Sequence, residues 1–158
     1  MKIKSFLIAT TIILSGCSNK IIHIQHNNSL YGSWYQKEAK DLNYNIKIDI
    51  TNKEQFFKNG TLLSTKWFNF KDKKSGKNLG EYYITKLFTW QAKKGNIIEV
   101  KFKRCSTGIT QKLMASGLGY EDLSQKCKQQ KVTNKISKKH YQLLKENLIL
   151  GSKTYKRN

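Results

Sequence analysis

Residues 45–51 read Asn-Ile-Lys-Ile-Asp-Ile-Thr, and residues 55–61 follow as Gln-Phe-Phe-Lys-Asn-Gly-Thr. The first stretch alternates apolar and polar side chains strictly, which is typical of a strand with one buried face. The pair Asn59-Gly60 is the strongest short hairpin signal in the chain, because it favours the tight turn that joins antiparallel strands. Residues 62–70, rich in aromatic side chains, are predicted to form the returning strand. This hairpin indicates an antiparallel β protein.

Short strand-like segments recur along the rest of the chain. Further strands are predicted at residues 32–35, 82–90, 97–102, 132–136, 140–144, 148–150 and 153–157, with a polar loop over residues 71–80. The chain contains no proline, which suits continuous pairing because proline interrupts it. About eight short strands joined by hairpins predict a mainly β fold, a single antiparallel up-and-down β-barrel that leaves no exposed edge.

The first seventeen residues predict export. A short basic start is followed by a mostly apolar run over residues 6–14, too short to span a bilayer, and then by small residues. The run ends in Leu-Ser-Gly-Cys over residues 14–17. This ending resembles the lipobox of bacterial lipoproteins, in which the cysteine thiol is acylated and becomes the first residue of the mature chain. The alternative is an ordinary signal peptide with a chance cysteine.

The lipobox resemblance implies a division of the chain into three parts. Residues 1–16 are a signal peptide, residues 17–30 a lipidated N-terminus and flexible tether beginning at Cys17, and residues 31–158 the barrel domain. We expect a protein of the bacterial cell envelope, held by lipid. Ser18, in place of aspartate, points to the outer membrane, with the domain facing the periplasm.

One segment of the predicted domain departs from the strand pattern. From about residue 104 to 131 the chain carries three glycines and few apolar residues, with one short helix predicted within residues 121–130. Cys105 and Cys127 lie near the two ends of this insertion. In an oxidising compartment an even pair of cysteines predicts a disulfide, which would stabilise the fold by roughly 3 kcal/mol. Two free thiols or two metal ligands are the alternative.

The charge of the chain is strongly positive. The whole sequence has a formal net charge of +20, and removal of residues 1–16 leaves 142 residues at +18. Such charge favours an anionic partner: an anionic lipid, a glycolipid or an acidic protein. We expect no nucleic-acid partner, because an exported lipoprotein does not normally meet one. A lysine-rich, solvated surface without a partner is the alternative.

Several short motifs, in their order, resemble small bacterial lipocalin-like proteins. They are Gly32-x-Trp34, Gly60-Thr61 after Phe56-Phe57, Thr89-Trp90 before Gly95-Asn96, and the ending that runs from Leu148 to Arg157. The resemblance implies that Trp34 closes one end of the barrel and that Arg157 packs across it, an arrangement favoured by cation–π attraction. The Thr-Asp-Tyr-type signature and the long final helix of many lipocalins are absent from the sequence.

No motif indicates catalysis. The sequence has neither Gly-x-Ser-x-Gly nor His-Glu-x-x-His, and His140 is the only histidine of the predicted domain. We therefore expect a non-enzymatic binding module without a metal or cofactor, which holds a lipid, a glycolipid or another anionic ligand. The alternative is an immunity or inhibitor lipoprotein that neutralises a toxin or hydrolase in the periplasm. The tryptophans and phenylalanines either line a ligand cavity or fill the barrel.

Overall fold

A computed structural model of the chain describes residues 28–118, 125, 127–130 and 135–157. Its eight strands form a closed antiparallel barrel in which each strand pairs with its neighbours in the sequence and the last strand pairs with the first. The predicted fold class is therefore confirmed. The strands are β1 (Gly32–Asp41), β2 (Ile46–Phe56), β3 (Thr61–Asp72), β4 (Asn78–Lys93), β5 (Ile97–Ile109), β6 (Ile136–Leu144), β7 (Asn147–Leu150) and β8 (Lys153–Arg157).

Helical structure is sparse. A 3₁₀ turn, Asn28–Leu30, precedes β1, and helix α1, Gln111–Ala115, follows β5. The helix predicted within residues 121–130 lies partly outside the described residues. Within them, the Gln129 amide donates to the Gln125 carbonyl over 2.9 Å, as in a helical turn. No helix in the described part of the chain is long and apolar enough to cross a membrane.

The strands of the barrel differ in length. Strands β1 to β5 have 10 to 16 residues, whereas β7 and β8 have 4 and 5. In the described residues β8 pairs with β1 at two positions, Trp34↔Arg157 and Tyr35↔Lys156. The pairing of β5 with β6 extends from Ile97↔His140 to Lys101↔Ile136. The wall formed by β6–β8 is thus short, and the turn between β7 and β8 lies part-way along the barrel.

The prediction that strand structure breaks at residue 104 was wrong. Strand β5 continues to Ile109, paired with β4 down to Tyr82. The register shifts at Leu87 and Phe88, which face Arg104 and Phe102, so Lys103 is the extra residue of a β-bulge. A bulge reverses the inward and outward positions that follow it. The apolar alternation of residues 98–102 therefore stops there although the strand does not, and the insertion begins at Thr110.

The polar loop predicted over residues 71–80 is also shorter than expected. Strand β3 runs to Asp72 and β4 begins at Asn78. The Asp72 carboxylate accepts hydrogen bonds from the Ser75 amide and hydroxyl, each 2.7 Å long. These bonds form a tight turn, because an aspartate side chain can replace a backbone acceptor.

The tether predicted over residues 17–30 extends too far toward the barrel, because its last residues belong to the domain. Leu30 is fully buried, and its carbonyl accepts a 2.9 Å hydrogen bond from Trp34 Nε1. The 3₁₀ turn is therefore part of the domain, which includes Asn28 rather than beginning at Tyr31. The predicted signal peptide and lipidation site, Cys17, lie outside the described residues.

The interior has two apolar clusters at opposite ends of the barrel. The larger, at what we call the Trp34 end, contains Leu30, Trp34, Phe56, Leu62, Trp90, Ile98, Leu148 and Tyr155 among others. The smaller, at the α1 end, contains Phe70, Tyr82 and Leu113. Leu113 of α1 packs directly on Gly80, where a Cβ atom would overlap the Leu113 backbone. Glycine at this position therefore lets α1 cover the end of the barrel.

Candidate functional site

A cavity of about 520 Å³, open to solvent, lies between the two apolar clusters of the barrel. The turn between β7 and β8, at Gly151 and Ser152, forms part of its wall. The other lining residues are Asn52, Glu54, Ser64, Lys66, Ile84, Lys86, Phe88, Lys139, Leu150, Lys153 and Tyr155. Because side chains alternate along a strand, these residues share the inward face with the apolar clusters.

Four lysines surround this cavity: Lys66 on β3, Lys86 on β4, Lys139 on β6 and Lys153 on β8. We call them the cavity lysines. None of them has a carboxylate oxygen within 4.0 Å among the residues that the structure describes. They therefore converge on one space as cations that form no ion pair with another described residue.

Several lysines outside the cavity, in contrast, form ion pairs with carboxylates. Asp49 accepts Lys71 at 2.7 Å, Asp41 accepts Lys73 at 3.1 Å, and Glu99 lies within 4.0 Å of two further lysines. The lysine beside Asp49 lowers the pKa of that carboxyl, chiefly through their hydrogen bond. Within the described part of the chain, Asp41, Asp49 and Glu99 thus form ion pairs with lysines outside the cavity and with none of the cavity lysines.

The environment of Lys66 disfavours the charged form of its side chain. Burial lowers the pKa of its ammonium, the positive charges of Lys153 and Lys40 lower it further, and Glu38 opposes them. The Lys66 Nζ atom also lies 5.0 Å from the centre of the Phe68 ring. A lysine that is desolvated and close to other cations gains from a bound anion, which would restore its charge balance.

Glu54 is the acidic residue among the described residues that line the cavity. It is 6% exposed, and its Oε1 atom accepts hydrogen bonds from Ser64 Oγ at 2.8 Å and from Tyr155 Oη at 3.5 Å. Burial raises the pKa of Glu54, while the Ser64 hydrogen bond and the charges of Lys139 and Lys153 act against that rise. Burial likewise raises the pKa of the Tyr155 hydroxyl, and the Glu54 charge adds to the effect.

Strand register shows that cavity-lining residues form rows across neighbouring strands, and we call each row a level of the barrel. Glu54 faces Ser64 across β2 and β3, and Ser64 faces Lys86 across β3 and β4. One level further toward the α1 end, Asn52, Lys66 and Ile84 face one another in the same way. Each level therefore presents a cation beside a hydrogen-bonding group, and Ile84, Phe88 and Leu150 add apolar wall.

The predicted contact between Trp34 and Arg157 is present, and it lies at the point where the barrel closes. The Arg157 guanidinium carbon lies 4.5 Å from the centre of the Trp34 ring, and the two residues are directly paired between β1 and β8. Arg157 Nη2 also donates to the carbonyls of Ser29, at 2.6 Å, and Tyr31, at 3.2 Å. The arginine thereby joins the last strand to the turn that covers the Trp34 end.

The predicted disulfide is also present. Cys105 and Cys127 are bonded, with their Cα atoms 5.6 Å apart. Cys105 is paired with Lys86 between β4 and β5, so the disulfide attaches the insertion beside one of the cavity lysines. No group of three acidic, histidine or cysteine side chains within the described ranges is arranged to hold a metal ion.

The three tryptophans do not line the cavity. Trp34 and Trp90 belong to the apolar cluster at the Trp34 end, and Trp90 packs edge-on against Phe56 with ring centres 5.0 Å apart. Trp67 lines a separate groove of about 650 Å³ on the outer face of β1–β4. That groove also contains Lys37, Asp49 and Glu81, so it does not concentrate charge of one sign.

Sequence reasoning did not identify the cavity lysines or Glu54. A signal was nonetheless present, since Glu54 lies between Ile50 and Phe56 and Lys66 lies between Leu62 and Phe70, each at the inward parity of its strand. A charged residue at an inward position of an alternating strand marks an interior polar site. No protein-family model matches the chain, and no characterised protein matches it in sequence.

Proposed function

We propose that this chain is an exported binding lipoprotein whose barrel holds an anionic, amphipathic ligand in the interior cavity. The observation that carries the proposal is the convergence of four cavity lysines, none with a carboxylate partner in the part of the chain that the structure describes, on a cavity of about 520 Å³. Lys66, Lys86 and Lys153 are half-buried and Lys139 is exposed, so water only partly screens the repulsion between their ammonium groups, and a counter-charge would relieve it. A bound anion would supply that charge.

The cavity surface offers two kinds of contact to such a ligand. The ammonium groups of the cavity lysines donate charge-assisted hydrogen bonds to a phosphate or carboxylate. Ile84, Phe88 and Leu150 offer an apolar surface to an alkyl or acyl portion. An anionic lipid or glycolipid combines both kinds of group, so it suits this lining better than a simple inorganic ion does.

We further propose that the protein is attached to the outer membrane by acylation of Cys17 and faces the periplasm. The Leu-Ser-Gly-Cys ending of residues 14–17 supports this. The acyl chains would contribute about 0.8 kcal/mol per buried methylene, enough to hold the domain without help from its lysines. Cys17→Ser is expected to release the protein from membranes. A variant that stays in the membrane fraction in high salt would contradict the proposed anchor.

The ligand proposal is tested with a fluorescent fatty acid as the probe. Titration of the full-length protein should give saturable binding, and Lys66→Gln with Lys153→Gln should weaken it by roughly tenfold or more, since one hydrogen bond to a charged group contributes about 1.5–3 kcal/mol. The matched control is Lys58→Gln with Lys74→Gln, which removes the same charge from exposed positions. Equal effects of the two double variants would show that only net charge matters and would reject the cavity as the site.

An immunity or inhibitor role is the competing function. It would place recognition on the insertion that the Cys105–Cys127 disulfide attaches. Purification of the full-length protein from envelope extract separates the two proposals. Retention of a lipid that is lost from the Lys66→Gln, Lys153→Gln protein supports cavity binding, whereas a stoichiometric protein that is retained equally by both forms supports the inhibitor role.

A further inference from the structure

Resting on the proposed cavity binding, we infer that the ligand carries an ammonium group as well as an anion: the cavity is a site for an aminoalkyl phosphate. The group that points to this is Glu54, which lies at the cavity wall and is 6% exposed. A single anion would contact the cavity lysines and leave one oxygen of this carboxylate without a hydrogen-bond donor among the described residues. A ligand with both charges satisfies both sets of groups.

The hydrogen bonds of Glu54 leave one of its two oxygens available. Ser64 Oγ and Tyr155 Oη both donate to Oε1. The Oε2 atom has no hydrogen-bond or ion-pair partner among the described residues, and it is not sealed from solvent as the Asn69 Oδ1 atom is. Glu54 lines the cavity, so its second carboxylate oxygen is the one that can accept a donor from a ligand.

The cavity lysines do not fill this role themselves. Lys139 and Lys153 are near enough for their charges to act on Glu54, yet their Nζ atoms are more than 4.0 Å from its oxygens. The space between the carboxylate and the lysines therefore separates opposite charges. A short molecule with an ammonium at one end and a phosphate at the other would lie along that separation in the complementary direction.

Phosphate is the anion that suits the lysines best. A phosphate monoester presents three terminal oxygens, and it can accept hydrogen bonds from several ammonium groups at once. Among the described residues that line the cavity, four lysines and one carboxylate give a net positive charge, which matches a ligand whose phosphate carries more charge than its ammonium. Ile84 and Phe88 lie at the same inward face and can contact the connecting alkyl carbons.

The test compares two probes of similar size by calorimetry on the full-length protein in an uncharged detergent. O-phosphoethanolamine carries the ammonium, and propyl phosphate replaces that ammonium with a methyl group. The protein should bind O-phosphoethanolamine at least tenfold more tightly. Glu54→Gln should abolish this preference by weakening O-phosphoethanolamine and strengthening propyl phosphate, because the amide keeps an acceptor for Ser64 but removes the charge.

Two further variants control for folding and for charge. Lys86→Gln should weaken both probes by the same factor, since it removes a phosphate contact and neither of the lysine charges, Lys139 and Lys153, that act on Glu54. Glu81→Gln removes an acid from the outer groove and should change neither affinity. Lysophosphatidylethanolamine, whose phosphodiester has two terminal oxygens and one negative charge, should compete more weakly than O-phosphoethanolamine if the ligand is the free monoester. Stronger competition would identify a lipid headgroup as the source and would overturn the monoester.

The outcomes distinguish the inference from the proposal on which it rests. Equal affinity of the wild-type protein for the two phosphates, or a preference that survives in Glu54→Gln, would overturn the aminoalkyl phosphate while leaving anion binding in place. Failure of both phosphates and of the fatty-acid probe to bind would overturn the proposed function with it. Weaker binding of O-phosphoethanolamine together with tighter binding of propyl phosphate by Glu54→Gln is the result that supports the inference.

Discussion

The two halves of the barrel interior differ in what their inward-facing positions hold. At the Trp34 end these positions are filled by Trp34, Phe56, Trp90 and their neighbours, and Arg157 packs over the end. In the cavity the same alternation brings Glu54 and the cavity lysines inward. The difference teaches that one end of the barrel stabilises the fold, while the cavity half keeps polar groups that a core built for stability would exclude.

The strongest test of this comparison is Trp34→Ala. Trp34 is 1% exposed, and loss of such a side chain costs about 3–5 kcal/mol because the transfer free energy is lost and a cavity remains. Urea denaturation should show this drop in the free energy of unfolding. Trp67→Ala, on the half-buried outer face, is the control and should cost less. Equal losses would mean that the Trp34 end is not the main source of stability.

The disulfide provides the next largest effect. It closes a segment of 22 residues and attaches the insertion beside Lys86. Replacing both cysteines with serine should lower the free energy of unfolding by roughly 3 kcal/mol, because the unfolded chain gains freedom. Thermal unfolding with and without reductant checks the value, and the double serine variant should be insensitive to reductant. An unchanged midpoint in the wild-type protein after full reduction would contradict this prediction.

A smaller effect is expected at the point where the barrel closes. Arg157→Gln removes the ring contact with Trp34 and weakens two hydrogen bonds to backbone carbonyls. The expected loss is about 1–2 kcal/mol, since each contact contributes a fraction to a little over 1 kcal/mol. Lys156→Gln, on the neighbouring exposed side chain, should change urea unfolding little. If both variants behave alike, Arg157 acts through its charge alone.

Glu54→Gln, unlike the preceding variants, should raise the free energy of unfolding at neutral pH. Burial raises the pKa of Glu54 above its unfolded value, so the ionised carboxylate opposes folding at neutral pH. The variant should therefore be more stable than the wild type at pH 7. As pH falls through the raised pKa and then below the pKa of an exposed glutamate, the gain should disappear because both proteins are then neutral at this position. Urea unfolding over pH 3 to 8 measures the difference, and an advantage that is constant with pH would refute the assignment to ionisation.

The sequence predicts the parts of the fold that local pattern determines. The alternation over residues 46–50 and the turn at Asn59-Gly60 correctly place β2 and β3, and the cysteine pair correctly predicts the disulfide. The bulge at Lys103 could not be predicted, because an extra residue is defined only against its partner strand. The burial of Leu30 could not be predicted either, because it depends on a barrel end that strands distant in the sequence form together.

The candidate site was predictable only in part. The total charge of the sequence indicated an anionic ligand. The cavity lysines, however, are only a small share of the basic residues of the chain. Lys66, Lys86 and Lys153 look like the other lysines until the strand register shows that they share a face. Inward parity could have selected Glu54 and Lys66 from single strands, but their meeting with Lys139 and Lys153 requires closure of the barrel.

The bond from Arg157 to the Ser29 carbonyl has a topological consequence. It brings the first and last described elements of the chain together at one end, while every strand pairs with its sequence neighbours. The barrel is therefore a ring of strands whose starting point is arbitrary. A circularly permuted chain, with Arg157 linked to Asn28 and new ends between Asn43 and Tyr44, would retain all eight strand pairings and the cavity.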